Sequence, residues 1–342
     1  MKIGIVGYQG SGKSTLFEWL TGEAADPSLA HSIQHAMCTV PDDRVAKLCD
    51  IYKPKKVTMA AIDLVDTPGL SRTHEGSAAR LATIREVGCL VMVIAAYDGG
   101  DPLADLSSLN DDLLLADLEI VAGRVARLQE SVKKPRPNRD QELAELEALE
   151  SLHQRLEGGE ALHGSDLTPE QQKAIKSFQL FSQKPRLVVV NVAEDEANPQ
   201  QSCENIPEQI PAEAVSLSLQ LELSRMEEAE RDQFCEEMGV SHFNRDDLIR
   251  RIMDASGQML FFTAGDKEVR TWMIRKGGTA VDAADGIHTD LARGFVRAET
   301  MTCEDLFRLG SEREVKANNL MRREHKGYVI QDGDILHILS SV

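Results

Sequence analysis

Apolar residues along this chain follow two rhythms that exchange at defined points. Short continuous runs at Ile3 to Val6, Ala60 to Val65, Leu90 to Ala95 and Leu187 to Val190 have almost no polar interruption. Such runs predict parallel strands buried on both faces, because alternation arises only where one face of a strand meets water. Helical stretches lie between them, and this succession predicts a doubly wound α/β sheet. Between the third and fourth runs the period changes. Leu114, Leu118, Val121, Val125, Leu128 and Val132 alternate spacings of four and three, and after Pro135 and Pro137 the row continues as Leu143, Leu146, Leu149, Leu152 and Leu156. That pattern predicts an antiparallel, coiled-coil-like helical hairpin inserted over residues 109–180. Beyond it, Leu260 to Thr263, Val269 to Ile274, Phe295 to Thr300 and Tyr328 to Leu339 read as strands, the last broken at Gln331-Asp332-Gly333-Asp334. They predict a small mixed β domain over 259–342, leaving 1–108 and 181–258 to the α/β domain.

Composition narrows the classes. The 342 residues fit about two or three domains, and 42% hydrophobic residues suffices for ordinary cores. A net charge of −18 argues against a DNA-coating surface. Cys38, Cys49, Cys89, Cys203, Cys235 and Cys303 are scattered without a C-x-x-C pair, so neither a zinc site nor a disulfide framework is expected. No apolar run approaches a membrane span, and the first glycine-rich motif begins too close to Met1 for a signal peptide. A cytoplasmic protein with reduced thiols and no membrane association is the expectation. Charge is uneven, however. From Arg124 to Arg139 six cations (Arg124, Arg127, Lys133, Lys134, Arg136 and Arg139) face one anion, Glu130, making the hairpin turn a candidate RNA contact. Residues 260–342 hold 12 basic and 13 acidic residues, so that region can approach a polyanion without strong repulsion.

The candidate chemistry begins directly after the first apolar run. Gly7-Tyr8-Gln9-Gly10-Ser11-Gly12-Lys13-Ser14 matches G-x-x-x-x-G-K-[ST], and Thr15, Leu16, Phe17 and Leu20 then start an amphipathic helix. Gly7, Gly10, Ser11, Gly12 and Thr15 would turn backbone N–H groups onto phosphate oxygens. Lys13 would place a point charge near the β- and γ-phosphates, and the Ser14 hydroxyl would ligate Mg²⁺. The second run ends in Asp66-Thr67-Pro68-Gly69, a D-x-x-G element at a strand's carboxyl end. Asp66 is expected to hold Mg²⁺ through water, and the Gly69 N–H to face a γ-phosphate. Leu70 occupies the place where many GTPases put a water-orienting Gln. A leucine cannot hydrogen-bond water, so turnover should be slow, with His74 or Glu75 as nearby polar candidates. The fourth run leads into Asn191-Val192-Ala193-Glu194. Where GTPases commonly carry N-K-x-D, Val192 and Glu194 replace the Lys and the Asp; Asn191 and Glu194 are the expected base contacts, with a weakened guanine fit that admits adenine.

Together the phosphate loop, the inserted hairpin, Asn191-Val192-Ala193-Glu194 and Phe262-Thr263-Ala264-Gly265-Asp266-Lys267-Glu268-Val269-Arg270-Thr271-Trp272 resemble the YchF or Obg-like ATPase family. Gly286-Ile287-His288-Thr289-Asp290 and Arg293-Gly294-Phe295-Val296-Arg297-Ala298-Glu299 are similar to that family's C-terminal TGS domain, a β-grasp module. The resemblance covers essentially the whole chain. It implies a TRAFAC-type P-loop NTPase switch with a TGS-like domain at 259–342, binding of ATP at least as well as GTP, slow hydrolysis and association with ribosomes. The hairpin tip and the TGS-like domain would then face ribosomal RNA, and a monomer is the expected state.

Several positions depart from the family pattern. Gly10-Ser11-Gly12-Lys13-Ser14-Thr15 keeps every position needed for phosphate and magnesium, although the family usually has N-V-G-K-S-T. The segment after Thr21 is shortened, and Ser28, Ser32 and Thr39 are alternative replacements for the first-switch Thr. Ser216-Leu217-Ser218 stands near the last base-contact loop in place of small C-A-type residues, where backbone contact from Ser216 would survive. Other readings are a module that nucleotide merely locks, a GTP-preferring GTPase of the Obg type, and a small-molecule phosphotransferase. The last needs an Arg-rich lid that the sequence lacks.

Overall fold

The computed structural model describes every residue except 25–32, 73–76, 197, 241 and 342. Two compact units divide the chain: Met1–Ala36 with Asp63–Phe243, and Met37–Ile62 with Asn244–Val342. In chain order the first strands are β1 (Lys2–Val6), β2 (Gln34–Thr39), β3 (Lys56–Thr58), β4 (Ala61–Asp66), β5 (Cys89–Ala95), β6 (Arg186–Asn191) and β7 (Ala212–Val215). All but β3 form one sheet in the order β2-β4-β1-β5-β6-β7. β1 runs parallel to β4 and β5, β5 to β6, and β6 to β7. The four apolar runs are thus β1, β4, β5 and β6, and every residue of β5 is buried. Because β4 and β5 flank β1 on opposite sides, the chain reverses its direction of winding beside β1. A crevice opens there at the carboxyl ends of the strands.

The hairpin is built from helices Pro102–Ser131 and Arg139–Glu157. Asp101 caps the first, its carboxylate accepting from the Leu103 and Ala104 N–H groups, and Pro102 starts the helix where no N–H is needed. Val121, Val125, Leu128, Leu149, Leu152 and Leu156 meet in one core with Leu162, Ile175 and Leu180. The predicted row frays at its outer end, where Leu143 is 37% exposed. Folding also changes the charge count at the tip. Arg124 forms a two-pronged pair with Glu145 at 2.7 and 2.8 Å, and Lys133 meets Glu130 at 2.6 Å. The second helix supplies Glu145 and Glu142, acids outside the window in which the cations cluster, so the linear excess overstates the field. Lys134, Arg136 and Arg139 are exposed.

The remaining strands are β8 (Gln258–Ala264), β9 (Glu268–Arg275), β10 (Phe295–Thr302), β11 (Arg322–Glu324) and β12 (Asp334–Ser340). With β3 they form the second unit's sheet, in the order β11-β10-β12-β8-β9-β3. β8 and β9 are an antiparallel pair, as are β10 and β12, while β12 lies parallel to β8 and β3 parallel to β9. Consecutive residues of a strand face opposite sides. Phe261 therefore joins Ala280 and Ala283 of helix Ala280–Ile287, while Phe262 joins Val45 and Leu48 of helix Arg44–Tyr52 together with Leu306 and Val315. Both faces are covered, which is why β8 reads as an unbroken apolar run. Residues 37–62 and 244–258 thus lie in a unit that periodicity alone begins at residue 259. The second face of its sheet is closed by a helix two hundred residues upstream.

Candidate nucleotide-binding site

The phosphate loop leaves β1 and enters helix Lys13–Thr21 through Gly12, whose φ of 102° favours glycine. A Cβ there would stand 2.5 Å from Asn191 Nδ2 and 3.2 Å from Leu217 Cδ1. Gly7 is equally constrained, since a Cβ would meet the Val93 carbonyl at 2.4 Å. Neighbouring strands therefore press the loop into shape, and the glycines permit it.

Lys13 is only 6% exposed, and its ammonium donates to the Tyr8 carbonyl at 2.8 Å. Burial pulls it down to about 8, with Asp66 partly offsetting the shift. The Ser14 hydroxyl donates to Asp66 Oδ2 at 2.7 Å, so the loop and the end of β4 converge as the two motifs require. Burial raises the Asp66 carboxyl, opposed by the Ser14 hydrogen bond, by Lys13 and by the Thr67 N–H. Asp66 Oδ1, Ser11 Oγ and Ser216 Oγ are buried without a hydrogen-bond partner. Orphaned polar atoms are expensive in a packed interior, and Asp66 Oδ1 belongs to the carboxylate that Ser14 already meets.

That crevice has a volume of about 340 Å³. Gly10, Gly12, Lys13, Ser14 and Thr15 line it on one side, with Tyr97, Asn191 and Ser218 on the other. A larger hollow of about 580 Å³ lies among the hairpin helices, where Arg124 and Glu145 already pair. Size alone does not mark the chemistry, because only the smaller crevice joins the phosphate loop to the ends of the parallel strands.

Asn191 lines the crevice and also ties two loops together. Its Nδ2 donates to the Ser11 carbonyl and its Oδ1 accepts from the Leu217 N–H, both at 3.1 Å, so it clamps two loops together. Val192 is buried in the core, whereas Glu194 is exposed and outside the crevice lining. Ser216 stands at the N-cap position of helix Leu217–Leu223 without a side-chain cap bond, and Ser218 rather than Ser216 lines the crevice. Gly69 approaches Gln9 so closely that a Cβ would sit 2.9 Å from Gln9 Cα, and its carbonyl accepts from Arg80 at 2.6 Å. Leu70 is 1% exposed and packs in the core. Its backbone exchanges hydrogen bonds with Gly7 and Gln9, fastening the D-x-x-G segment to the phosphate loop. His74, Glu75, Ser28 and Ser32 fall outside the described residues.

Tyr97 belongs to no motif, yet it lines the crevice. It lies two residues past the end of β5, is 46% exposed, and donates from its hydroxyl to the Gly10 carbonyl at 2.6 Å. Its position at a strand's carboxyl end, next to the winding reversal, was the available signal.

Residues 2–122 match the family described as 50S ribosome-binding GTPase, and residues 259–340 match the YchF GTPase C-terminal family, described as a protein of unknown function (DUF933). The chain is 34% identical over 370 aligned positions to the ribosome-binding ATPase YchF of Bacillus subtilis, covering 99% of each chain. It is 33% identical to Obg-like ATPase 1 of Oryza sativa subsp. japonica, covering 98% of this chain and 91% of that one. The solved structure of the Schizosaccharomyces pombe YchF GTPase superposes with a TM-score of 0.83 at 28% identity, over 99% of this chain and 97% of the other. With the phosphate loop, the inserted hairpin and the β-rich C-terminal unit all in place, the chain belongs to the YchF family.

Proposed function

We propose that this protein is a cytoplasmic, ribosome-associated nucleotide switch that binds ATP with Mg²⁺ and hydrolyses it slowly, GTP being a poorer or comparable substrate. The observation that carries this reading is the convergence of Lys13, Ser14 and Asp66 at the phosphate loop, with Asp66 Oδ1 left unpartnered. Lys13 would exchange the Tyr8 carbonyl for the β- and γ-phosphate oxygens, and the loop N–H groups from Gly10 to Thr15 would hold the remaining charge. The donor set suits a hard divalent cation, since Ser14 and Asp66 offer only oxygens, and these two residues would hold the magnesium. When bound, Mg²⁺ neutralises charge on the phosphate oxygens. Asn191 keeps the base loop and the phosphate loop in register and is proposed to contact the base together with Glu194, the proposed acceptor for an adenine amine. Buried Leu70 supports slow turnover because it offers no hydrogen bond to water. His74 is the proposed polar group for that water.

Phosphate release under single-turnover conditions, with Lys13→Ala as control, tests the reaction. Release no faster than in the control would leave the locked-module reading, which the buried Leu70 also favours. Titration of ATP and GTP against wild type and Glu194→Asp tests the base assignment. No preference for ATP and no shift toward GTP in the variant would overturn it. The relatives carry the name ribosome-binding ATPase. For this chain we assign the ribosomal RNA contact to the exposed hairpin tip and the TGS-like domain, in a monomer. Unchanged ribosome co-sedimentation at low salt after charge reversal at Lys133, Lys134 and Arg136 would count against the tip.

A further inference from the structure

Tyr8, next to the first glycine of the phosphate loop, touches three parts of its unit at once. Its carbonyl accepts the Lys13 ammonium at 2.8 Å, its hydroxyl donates to Asp112 Oδ2 at 3.0 Å, and the Arg72 guanidinium lies 5.3 Å from its ring centre. Tyr8 is 4% exposed and Asp112 6%, and both line a cavity of about 380 Å³ with Arg72 and Asp105. Asp112 belongs to helix Pro102–Ser131, the first arm of the hairpin. The same helix also grips Arg72, whose guanidinium donates to both oxygens of Asp105 at 2.7 and 2.6 Å. Asp105 and Asp112 stand about two helical turns apart and so share a face. A carboxylate among buried Leu109 and Leu113 is favourable only when hydrogen-bonded, and Tyr8 of the phosphate loop is one of the groups it meets.

We propose that Asp112 is a positioning residue for nucleotide binding, acting through Tyr8, and that the hairpin is thereby energetically coupled to the phosphate loop. The inference rests on reading the crevice as a nucleotide site. When Lys13 leaves the Tyr8 carbonyl for phosphate oxygens, the Tyr8 backbone loses its ammonium partner. The hydroxyl bond to Asp112 then keeps that segment from relaxing into the space the phosphates need. Coupling of this kind is reciprocal, so bound nucleotide holds the root of the hairpin more firmly than the empty loop does.

The test combines ATP titration with hydrogen exchange along 102–131, with and without ATP, in wild type, Tyr8→Phe, Asp112→Ala, Asp112→Asn and the Tyr8→Phe/Asp112→Ala double variant. In wild type, ATP slows exchange in that helix. Tyr8→Phe and Asp112→Ala each weaken ATP binding about tenfold, as expected for one buried hydrogen bond, and abolish the slowing. The double variant is no weaker than the worse single one, because both remove the same interaction. Asp112→Asn, which keeps an acceptor, stays within about twofold of wild type. Unchanged affinity in Tyr8→Phe, equal damage from Asn and Ala at 112, multiplying losses, or wild-type exchange indifferent to ATP would each overturn the coupling. Tyr8→Phe removes a single oxygen and carries the test should Asp112→Ala fail to fold. A wild type that binds ATP no better than Lys13→Ala overturns the nucleotide-site reading itself, whereas normal binding in both wild type and Tyr8→Phe overturns the coupling alone.

Discussion

The Ser14 hydroxyl donates to Asp66 Oδ2 across 2.7 Å, joining the first turn of the phosphate-loop helix to the end of β4. Two motifs about fifty residues apart thereby become one oxygen-rich site. If that pair holds magnesium, removing either oxygen should erase the metal's contribution to nucleotide affinity. The ratio of ATP Kd in EDTA to that in Mg²⁺ should fall toward unity in Ser14→Ala and Asp66→Ala. A wild-type ratio in both would sink the assignment.

Lys13 gives the site a pH dependence with a definite sign. In the free protein burial holds its ammonium down at about 8, and neighbouring phosphates would raise it. Below that pH the ammonium is already charged and its contribution to ATP affinity is flat. Above it, binding must take up a proton, so affinity falls by up to about tenfold per pH unit. Calorimetry in buffers of different ionisation enthalpy should detect proton uptake near about pH 9 and little near about pH 7. Equal uptake at both would contradict this.

Gly12→Ala should damage binding more than Gly10→Ala. Both glycines have positive φ, so each substitution incurs backbone strain of about 1–2 kcal/mol. Only at Gly12 does the added methyl strike Asn191 and Leu217, whereas Gly10 has nothing within 4 Å of its Cβ position. A lower melting temperature and a much weaker ATP Kd for Gly12→Ala than for Gly10→Ala are expected. Equal affinities would mean the Asn191 clamp is irrelevant.

The hairpin core separates packed from frayed positions. Leu152 is fully buried, and Leu152→Ala should cost about 2–5 kcal/mol of local stability. Leu143→Ala, at the exposed end of the same row, should stay within about 0.5 kcal/mol. Hydrogen exchange across 102–157 distinguishes them, and matching effects would show that the row packs uniformly.

Leu48 tests the composition of the second unit. It is fully buried beside Phe262 and Leu306. Leu48→Ala should therefore speed amide exchange in β8 and β12 while leaving β5 and β6 protected. Loss of protection confined to the first sheet would contradict that grouping.

The strands buried on both faces were legible because a run such as Leu90 to Ala95 needs no partner to declare itself. Short strands were not. β7 is only Ala-Glu-Ala-Val, and β2 alternates weakly, so their pairing came from the sheet rather than from their own composition. In the site, Lys13, Ser14 and Asp66 were readable from motif spacing. Asn191 as a clamp, Tyr97 over Gly10, and the packing of Leu70 were not, since each depends on how two loops approach. The basic tip was legible as a cluster but not as a field, because Glu145 reaches Arg124 only after the hairpin closes.

By itself the sequence determined the periodic elements, the phosphate loop and the family, all of which rest on residues close together in the chain. Tertiary structure alone decided that helix Arg44–Tyr52 covers the C-terminal sheet, that Asp112 meets Tyr8, and that Asp66 keeps an unpartnered oxygen. The physical reason is common to all three. Local pattern records which face of an element is apolar, but not which distant element buries it, and a buried polar group takes its role from the partner that packing brings within hydrogen-bond reach.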